Sequence, residues 1–238
     1  MPFAELRNPT LPFPFEINRM RRKTLVVYVK GGKVEVRSPL KAPSQWIFDF
    51  LAEKSPWIQK QLMVQRIKQR ERLVIADNRF VSFLGKPRLI QVIISHQQKI
   101  MLSGNFLYMF VREKNRDKIE LLFNNWLQLQ ASEYMATQTI KYARMLGVER
   151  KLRDVVFRKT RSKWGHCCQD GTIQYNWLAM MAPREVINYL VAHETSHLRY
   201  LDHSPRFWNT VASVCPNYKE HRNWLAENGH RFWTEPRG

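Results

Sequence analysis

The chain has 238 residues, and its 39 Lys and Arg outnumber its 20 Asp and Glu, which gives a formal net charge of +19. An apolar content of 44% excludes an intrinsically disordered chain, and there is no run of about 18 apolar residues that predicts a membrane span. Three cysteines are too few for a disulfide framework, so we expect a soluble cytoplasmic protein without a signal peptide.

The first half of the chain is predicted to be rich in strands. Residues 24–29 and 33–37 flank two glycines and predict a β-hairpin. Two helices are predicted next, over residues 45–54 and from Pro56 to about residue 73. Alternating apolar residues then predict four short strands, over residues 80–84, 89–96, 99–102 and 106–111.

The second half is predicted to be rich in helices. A long helix is expected over residues 115–146, and three shorter ones open at Pro183, at Ser204-Pro205 and at Tyr218. We therefore divide the chain into a flexible N-terminal tail (1–18), a strand-rich part (19–114) and a helix-rich part (115–238). A single continuous domain over residues 19–238 is the alternative division.

The most informative motif is His193-Glu194-Thr195-Ser196-His197, which has the pattern HExxH. An apolar helical face leads directly into it, so the motif is expected to lie on a helix. Residues four apart on a helix share one face, and both imidazoles can then bind one metal ion. Glu194 lies beside them and can contact a metal-bound water without being a ligand.

A catalytic zinc site usually has three protein ligands and one water, so a third ligand is needed. His203 is six residues beyond His197 and would lie on the wrong face of a continuing helix. Asp202 and the following Ser204-Pro205 pair indicate a turn that corrects this, and we therefore favour His203. A carboxylate of a later helix is the alternative ligand, from Glu220 or Glu227.

These residues predict metal-assisted hydrolysis. The metal is expected to lower the pKa of its bound water and to polarise the scissile group. Glu194 is expected to take the proton from that water and to deliver it to the leaving group. We also expect the strand predicted at residues 172–177 to lie along the cleft and to pair with an extended peptide. Phe207 and Trp208 follow helical spacing and are assigned to the core.

The sequence around the motif is similar to that of a known family. Residues 161–167 (RSKWGHC) resemble its [KR]-S-[RK]-W-G-S-C element, and residues 183–194 resemble its P-x-E-V-I-x-Y-V-V-x-H-E run. Asn176-Trp177 matches the end of a strand in the same family. The chain thus resembles the YgjP-like metallopeptidases, a SprT-related group of predicted metal-dependent hydrolases, over about residues 19–230.

The resemblance implies an α+β fold with a zincin-like metallopeptidase domain, in which a strand-rich N-terminal half precedes the HExxH active-site helix. It also implies one Zn²⁺ ion held by His193, His197 and His203, with Glu194 as the catalytic acid and base. His166 replaces the serine of the W-G-S-C element, and we treat its imidazole as a candidate cleft residue.

Two other functions fit the same residues. A metal-dependent nucleotide phosphohydrolase of the nucleoside triphosphate pyrophosphatase type would use the same water, and its basic residues would neutralise phosphates. A SprT-like protein associated with nucleic acid would use the net charge of +19 to bind a polyanion. We favour a metallopeptidase with a peptide or protein substrate, keep nucleotide and nucleic acid as alternative partners, and expect no membrane contact.

Overall fold

A computed structural model describes residues 11–71, 73–160 and 163–233. The chain forms two compact units, Met1–Glu71 and Arg72–Gly238. The division between them therefore falls well before residue 114, where the composition changes from strands to helices. The reason is that the strands of residues 80–111 share one hydrophobic core with the helices that follow. In the described part of the chain, no helix is long and apolar enough to cross a bilayer.

The first unit is a three-stranded sheet with one helix. Its elements are β1 (Glu16–Met20), β2 (Val26–Lys30), β3 (Lys33–Pro39) and α1 (Ser44–Arg70). Strand β3 lies in the centre, parallel to β1 and antiparallel to β2. The predicted hairpin is β2–β3 and is confirmed.

The N-terminal segment was expected to be a flexible tail up to residue 18. Its first ten residues lie outside the described residues, but β1 begins within the rest of it. Phe13 and Phe15 are 5% and 1% exposed in the core of the first unit. Burial of two phenylalanine rings stabilises this segment by several kcal/mol, about 1.5–3 kcal/mol per ring, which a pattern dominated by prolines does not reveal.

Helix α1 runs without a break through Pro56, where two helices were predicted. A proline inside a helix costs about 3 kcal/mol, because it removes a hydrogen bond and crowds the preceding turn. Ile47, Leu51 and Ile58 are each 0% exposed and form one stripe across this position. Burying the whole stripe contributes more than the proline costs, so the helix continues.

The second unit begins with a four-stranded sheet. Its strands are β4 (Phe80–Phe83), β5 (Lys86–Ile94), β6 (Lys99–Ser103) and β7 (Phe106–Val111), in the order β4-β5-β7-β6. Helix α2 (Arg116–Met145) follows, with the side chain of Asn115 accepting a hydrogen bond from the Lys118 N–H at 3.1 Å. It ends before Gly147, whose φ of 65° suits glycine and stops a helix. These five predicted elements are confirmed.

A second sheet and three helices complete this unit. The strands are β8 (Asp154–Phe157), β9 (Gly165–Cys167) and β10 (Thr172–Tyr175), and the helices are α3 (Arg184–Ser196), α4 (Pro205–Val214) and α5 (Tyr218–Asn228). Strand β10 is central, parallel to β8 and antiparallel to β9. Both of its edges are therefore occupied, and the expectation that it pairs with a peptide is wrong.

The core of the second unit fixes the position of α3. Ile187 and Val191 are each 0% exposed on this helix, and they join Leu127 and Met135 of α2 and Tyr175 of β10 in one cluster. A helix packed on two sides in this way has little freedom to shift. Side chains at its C-terminal end are therefore held in a fixed place. The mixed α+β class predicted from the sequence is confirmed.

Candidate metal centre

Three histidines meet at the C-terminal end of α3. His193 lies in its last turn, His197 follows its last residue, and His203 precedes α4. One ring nitrogen from each histidine lies within 4.8 Å of the other two. The Nε2 atoms of His193 and His203 are 3.2 Å apart. The chain does leave the helix between His197 and His203, as the sequence requires for the third imidazole to converge.

Two short-range hydrogen bonds hold the turn between α3 and α4. Nδ1 of His197 lies 2.9 Å from the carbonyl oxygen of Tyr200. The N–H of Ser204 donates to the carboxylate of Asp202 at 3.1 Å. Hydrogen bonds from Ser204 also lower the pKa of Asp202, so this carboxylate stays ionised and keeps its acceptor role. The Asp202 turn is therefore what brings His203 back towards α3.

The nitrogen positions fit a zinc ion. A carbonyl oxygen can only accept, so the hydrogen bond to Tyr200 places a proton on Nδ1 of His197 and leaves the lone pair of Nε2 available. A tetrahedral site with Zn–N bonds of about 2.0–2.1 Å places two ligand nitrogens about 3.3–3.4 Å apart. The 3.2 Å separation between His193 and His203 is close to that value. Three imidazoles are also a donor set that zinc favours.

Two aromatic rings of α4 surround the three imidazoles. Phe207 is 0% exposed, and its ring stacks on His197 with centroids 4.4 Å apart and an interplanar angle of 25°. The ring of Trp208 lies 5.6 Å from His193 and 5.7 Å from His203. Both were assigned to the core from the sequence. This assignment is confirmed for Phe207, and its spacing of four residues from His203 is the signal that could have placed its ring beside the site.

Burial keeps His193 neutral. Burial, together with the smaller effect of positive charge on His197, His203 and Arg222, lowers the pKa of this residue to about 3. Burial likewise lowers the pKa of His197. A neutral imidazole is the form that binds a metal, so neither ring needs to lose a proton first near neutral pH. Among the described residues, the buried Nδ1 of His193 has no hydrogen-bond partner.

Glu194 is the one acidic residue buried beside the histidines in the described part of the chain. It is 5% exposed, and burial raises its pKa to about 8, while the positive charge of Lys163 acts in the opposite direction. Its carboxylate contacts the backbone of β9 at Gly165. A Cβ at that position would lie 2.6 Å from Cδ of Glu194, so only glycine allows this approach.

The sequence matches the YgjP-like metallopeptidase domain over residues 23–228. The chain belongs to this family. At the family level it is therefore a metal-dependent peptidase. The chain is also similar to the crystal structure of the metallopeptidase zymogen of Pyrococcus abyssi abylysin, with 23% identity over 39% of this chain and 93% of that chain and a TM-score of 0.36. A search of curated proteins gives no match.

One polar residue missed by the sequence analysis positions β9 in this YgjP-like chain. Asn176 is 1% exposed, and its N–H donates to the carbonyl of Trp164 at 2.8 Å. Its side chain donates to the carbonyl of Thr160 and accepts from the N–H of Leu178, each at 3.1 Å. It thereby ties the segment before β9 to the end of β10. The signal that could have indicated this role was the position of Asn176 directly after a predicted strand, in the Asn176-Trp177 pair.

The remaining predicted site residues lie outside the cluster of His193, His197 and His203, which we call the triad. His166 is exposed on β9, and its charge contributes to lowering the pKa of His197, so it lies near the rim of the site. Glu220 and Glu227 are exposed on α5 and are not among the described residues that form the metal-ligand cluster. Arg161 and Ser162 of the YgjP-like W-G element lie outside the described residues.

Proposed function

We propose that this YgjP-like protein is a zinc-dependent metallopeptidase in which His193, His197 and His203 hold the ion and Glu194 is the general base. The observation that carries the proposal is the convergence of three imidazole nitrogens within 4.8 Å beside a buried carboxyl group. Zinc bound there would lower the pKa of a water and polarise the scissile carbonyl group. The side chains of the protein would then position the substrate and transfer the proton of the attacking water.

Glu194 suits proton transfer because its surroundings destabilise the ionised form. Burial raises its pKa to about 8, which is near the pH at which an acid or base works best in neutral solution. Once ionised, the carboxylate can accept a proton from the attacking water and later donate it to the leaving amine. The positive charge of Lys163 favours the ionised form, which is the form that can accept a proton.

The position of β9 at the edge of its sheet favours a peptide substrate over a smaller one. Asn176 donates to the carbonyl of Trp164, and Cys168 donates to the carbonyl of Thr172, so alternate residues of this segment face β10. The intervening Gly165 and Cys167 therefore direct their N–H and C=O groups away from β10. An extended peptide can add to this edge, directly beside Glu194. We propose β9 as the peptide-pairing strand in place of β10.

We also propose that the catalytic machinery lies within residues 115–238, because every residue given a chemical role falls in that range. The family assignment favours a peptide or protein substrate over a nucleoside triphosphate. No observation on the described residues favours nucleic acid as a partner.

The test is hydrolysis of an unfolded protein such as casein by zinc-loaded protein, with and without a chelator. Glu194→Gln should keep one bound zinc per chain and lose cleavage. Glu185→Gln, which changes an exposed glutamate of the same helix, is the matched control and should cleave normally. Full activity in Glu194→Gln would exclude it as the general base. Release of phosphate or pyrophosphate from nucleoside triphosphates, with casein left intact, would replace the proposal with the phosphohydrolase.

A further inference from the structure

A pair of aromatic rings and two basic side chains form a surface patch next to the triad. Trp208, Tyr218, Lys219, Arg222 and Asn223 line a cavity of about 390 Å³, and we call this set the basic aromatic patch. The rings of Trp208 and Tyr218 are stacked, with centroids 5.2 Å apart and an interplanar angle of 17°. Cζ of Arg222 lies 5.1 Å from the centroid of the Trp208 ring.

The patch is continuous with the triad because one side chain belongs to both. The ring of Trp208 belongs to the patch, and its centroid lies 5.6 Å from that of His193 and 5.7 Å from that of His203. The guanidinium of Arg222 and these two imidazoles therefore lie close to the same indole. Three residues of extended peptide span about 10 Å, so a substrate held at the triad reaches the patch within three residues of its scissile bond.

The two basic side chains of the patch, Arg222 and Lys219, give it a positive charge. Arg222 and Lys219 are both exposed on α5. Among the described residues, neither of them forms an ion pair with an aspartate or a glutamate, whereas Arg144, Arg153 and several lysines do. Arg222 and Lys219 contribute to the net charge of +19, and both can therefore bind an anion next to the three histidines.

The chemistry of Arg222 favours a carboxylate. The contact with the Trp208 ring holds the guanidinium by a cation–π interaction and reduces its freedom. A guanidinium held in this way can donate two parallel hydrogen bonds to the two oxygens of a carboxylate. Lys219 adds a second positive charge beside it, and Asn223 adds an amide that can donate.

We propose that the basic aromatic patch is a substrate subsite that binds a carboxylate of the peptide, with Arg222 as the specificity-determining residue. The proposal rests on the peptidase function proposed above. The carboxylate comes either from an aspartate or glutamate side chain within three residues of the scissile bond or from the C-terminus of a short peptide. In both cases the patch selects acidic over neutral substrates and orients the peptide along the site.

The test uses the zinc-loaded full chain and matched peptides. One arm compares Glu with Gln at each of the three positions on either side of the scissile bond, with both termini blocked. The other arm compares a free with an amidated C-terminus in an otherwise neutral peptide. We expect at least one acidic peptide to have a kcat/KM about five- to tenfold above its neutral partner, mostly through KM, as for one charge-assisted hydrogen bond at a partly exposed site.

Variants then assign the preference to the patch. Arg222→Gln should bring the acidic-to-neutral ratio close to one, and Arg222→Lys should restore part of it. Arg112→Gln, which removes an exposed arginine directly after strand β7 and outside the patch, should keep the full ratio. Added salt should lower the ratio in the wild type, because screening weakens exposed charges. Equal kcat/KM for all matched pairs, or an unchanged ratio in Arg222→Gln, would overturn the proposal.

A binding measurement separates this proposal from the peptidase function. Glu194→Gln protein with zinc is titrated with the same peptides by calorimetry, so no cleavage is needed. Tighter binding of the acidic peptide that is lost in the Glu194→Gln/Arg222→Gln double variant supports the subsite even when no peptide is cleaved. Equal binding of acidic and neutral peptides would refute the subsite. It would not affect the proposed peptidase function, which the casein assay tests separately.

Discussion

The environment of Glu194 predicts a pH-dependent stability that can be measured without any substrate. The folded protein without metal holds a proton on this carboxyl group up to about pH 8, whereas the unfolded chain releases it near pH 4.5. Between these values the folded state binds more protons, so its stability falls as the pH rises. A shift from 4.5 to about 8 corresponds to about 5 kcal/mol once the group is ionised in both states.

Glu194→Gln removes this dependence because an amide of nearly the same shape cannot ionise. For a unit of this size, 1 kcal/mol shifts Tm by about 2–4 °C, so the Tm of the wild type should fall by about 10–20 °C relative to the variant across this pH range. The assay is thermal unfolding of both proteins in chelator, from about pH 5 to about pH 9. Every other ionisable group is the same in the two proteins, so its contribution cancels in the difference. A constant difference in Tm across this range would refute the burial argument.

Three further predictions concern single positions. His197→Ala should lose the bound zinc, measured by elemental analysis of the purified protein, and an unchanged zinc content would remove His197 from the ligand set. Gly165→Ala should destabilise the fold by about 1–3 kcal/mol, because the new Cβ overlaps the Glu194 carboxylate and β9 has to shift; an unaltered Tm would contradict this contact. Cys167 should resist alkylation in the native protein, because burial raises the pKa of its thiol to about 12, and rapid labelling near neutral pH, detected by mass spectrometry, would argue against that burial.

Local patterns in the sequence predicted most of the elements around the site. The HExxH spacing, the turn at Asp202 and the proline at the start of α4 each depend on residues close together in the chain. These signals were enough to favour His203 over the two later glutamates. The start of α5 at Tyr218 was predicted in the same way.

Features that depend on distant residues were missed. Strand β1 is short and pairs with β3 in parallel, a contact that no local pattern records. Pro56 predicted a helix boundary, but the buried stripe of α1 outweighs it. The order β8-β10-β9 places β8 and β9 at the two edges of the sheet, and strand order is set by packing across the whole unit. We therefore propose β9, rather than β10, as the peptide-pairing strand.

Burial of one helix end acts on two neighbouring residues in opposite senses. It lowers the pKa of His193 to about 3 and raises that of Glu194 to about 8, and in each case the neutral form is the favoured one. The imidazole is thereby ready to bind a metal, but the carboxyl group stays protonated at neutral pH and cannot yet act as a base. A divalent cation beside Glu194 would favour the carboxylate. In the proposed mechanism, metal binding and activation of the base would therefore be coupled, because a cation held by the three histidines would also ionise Glu194.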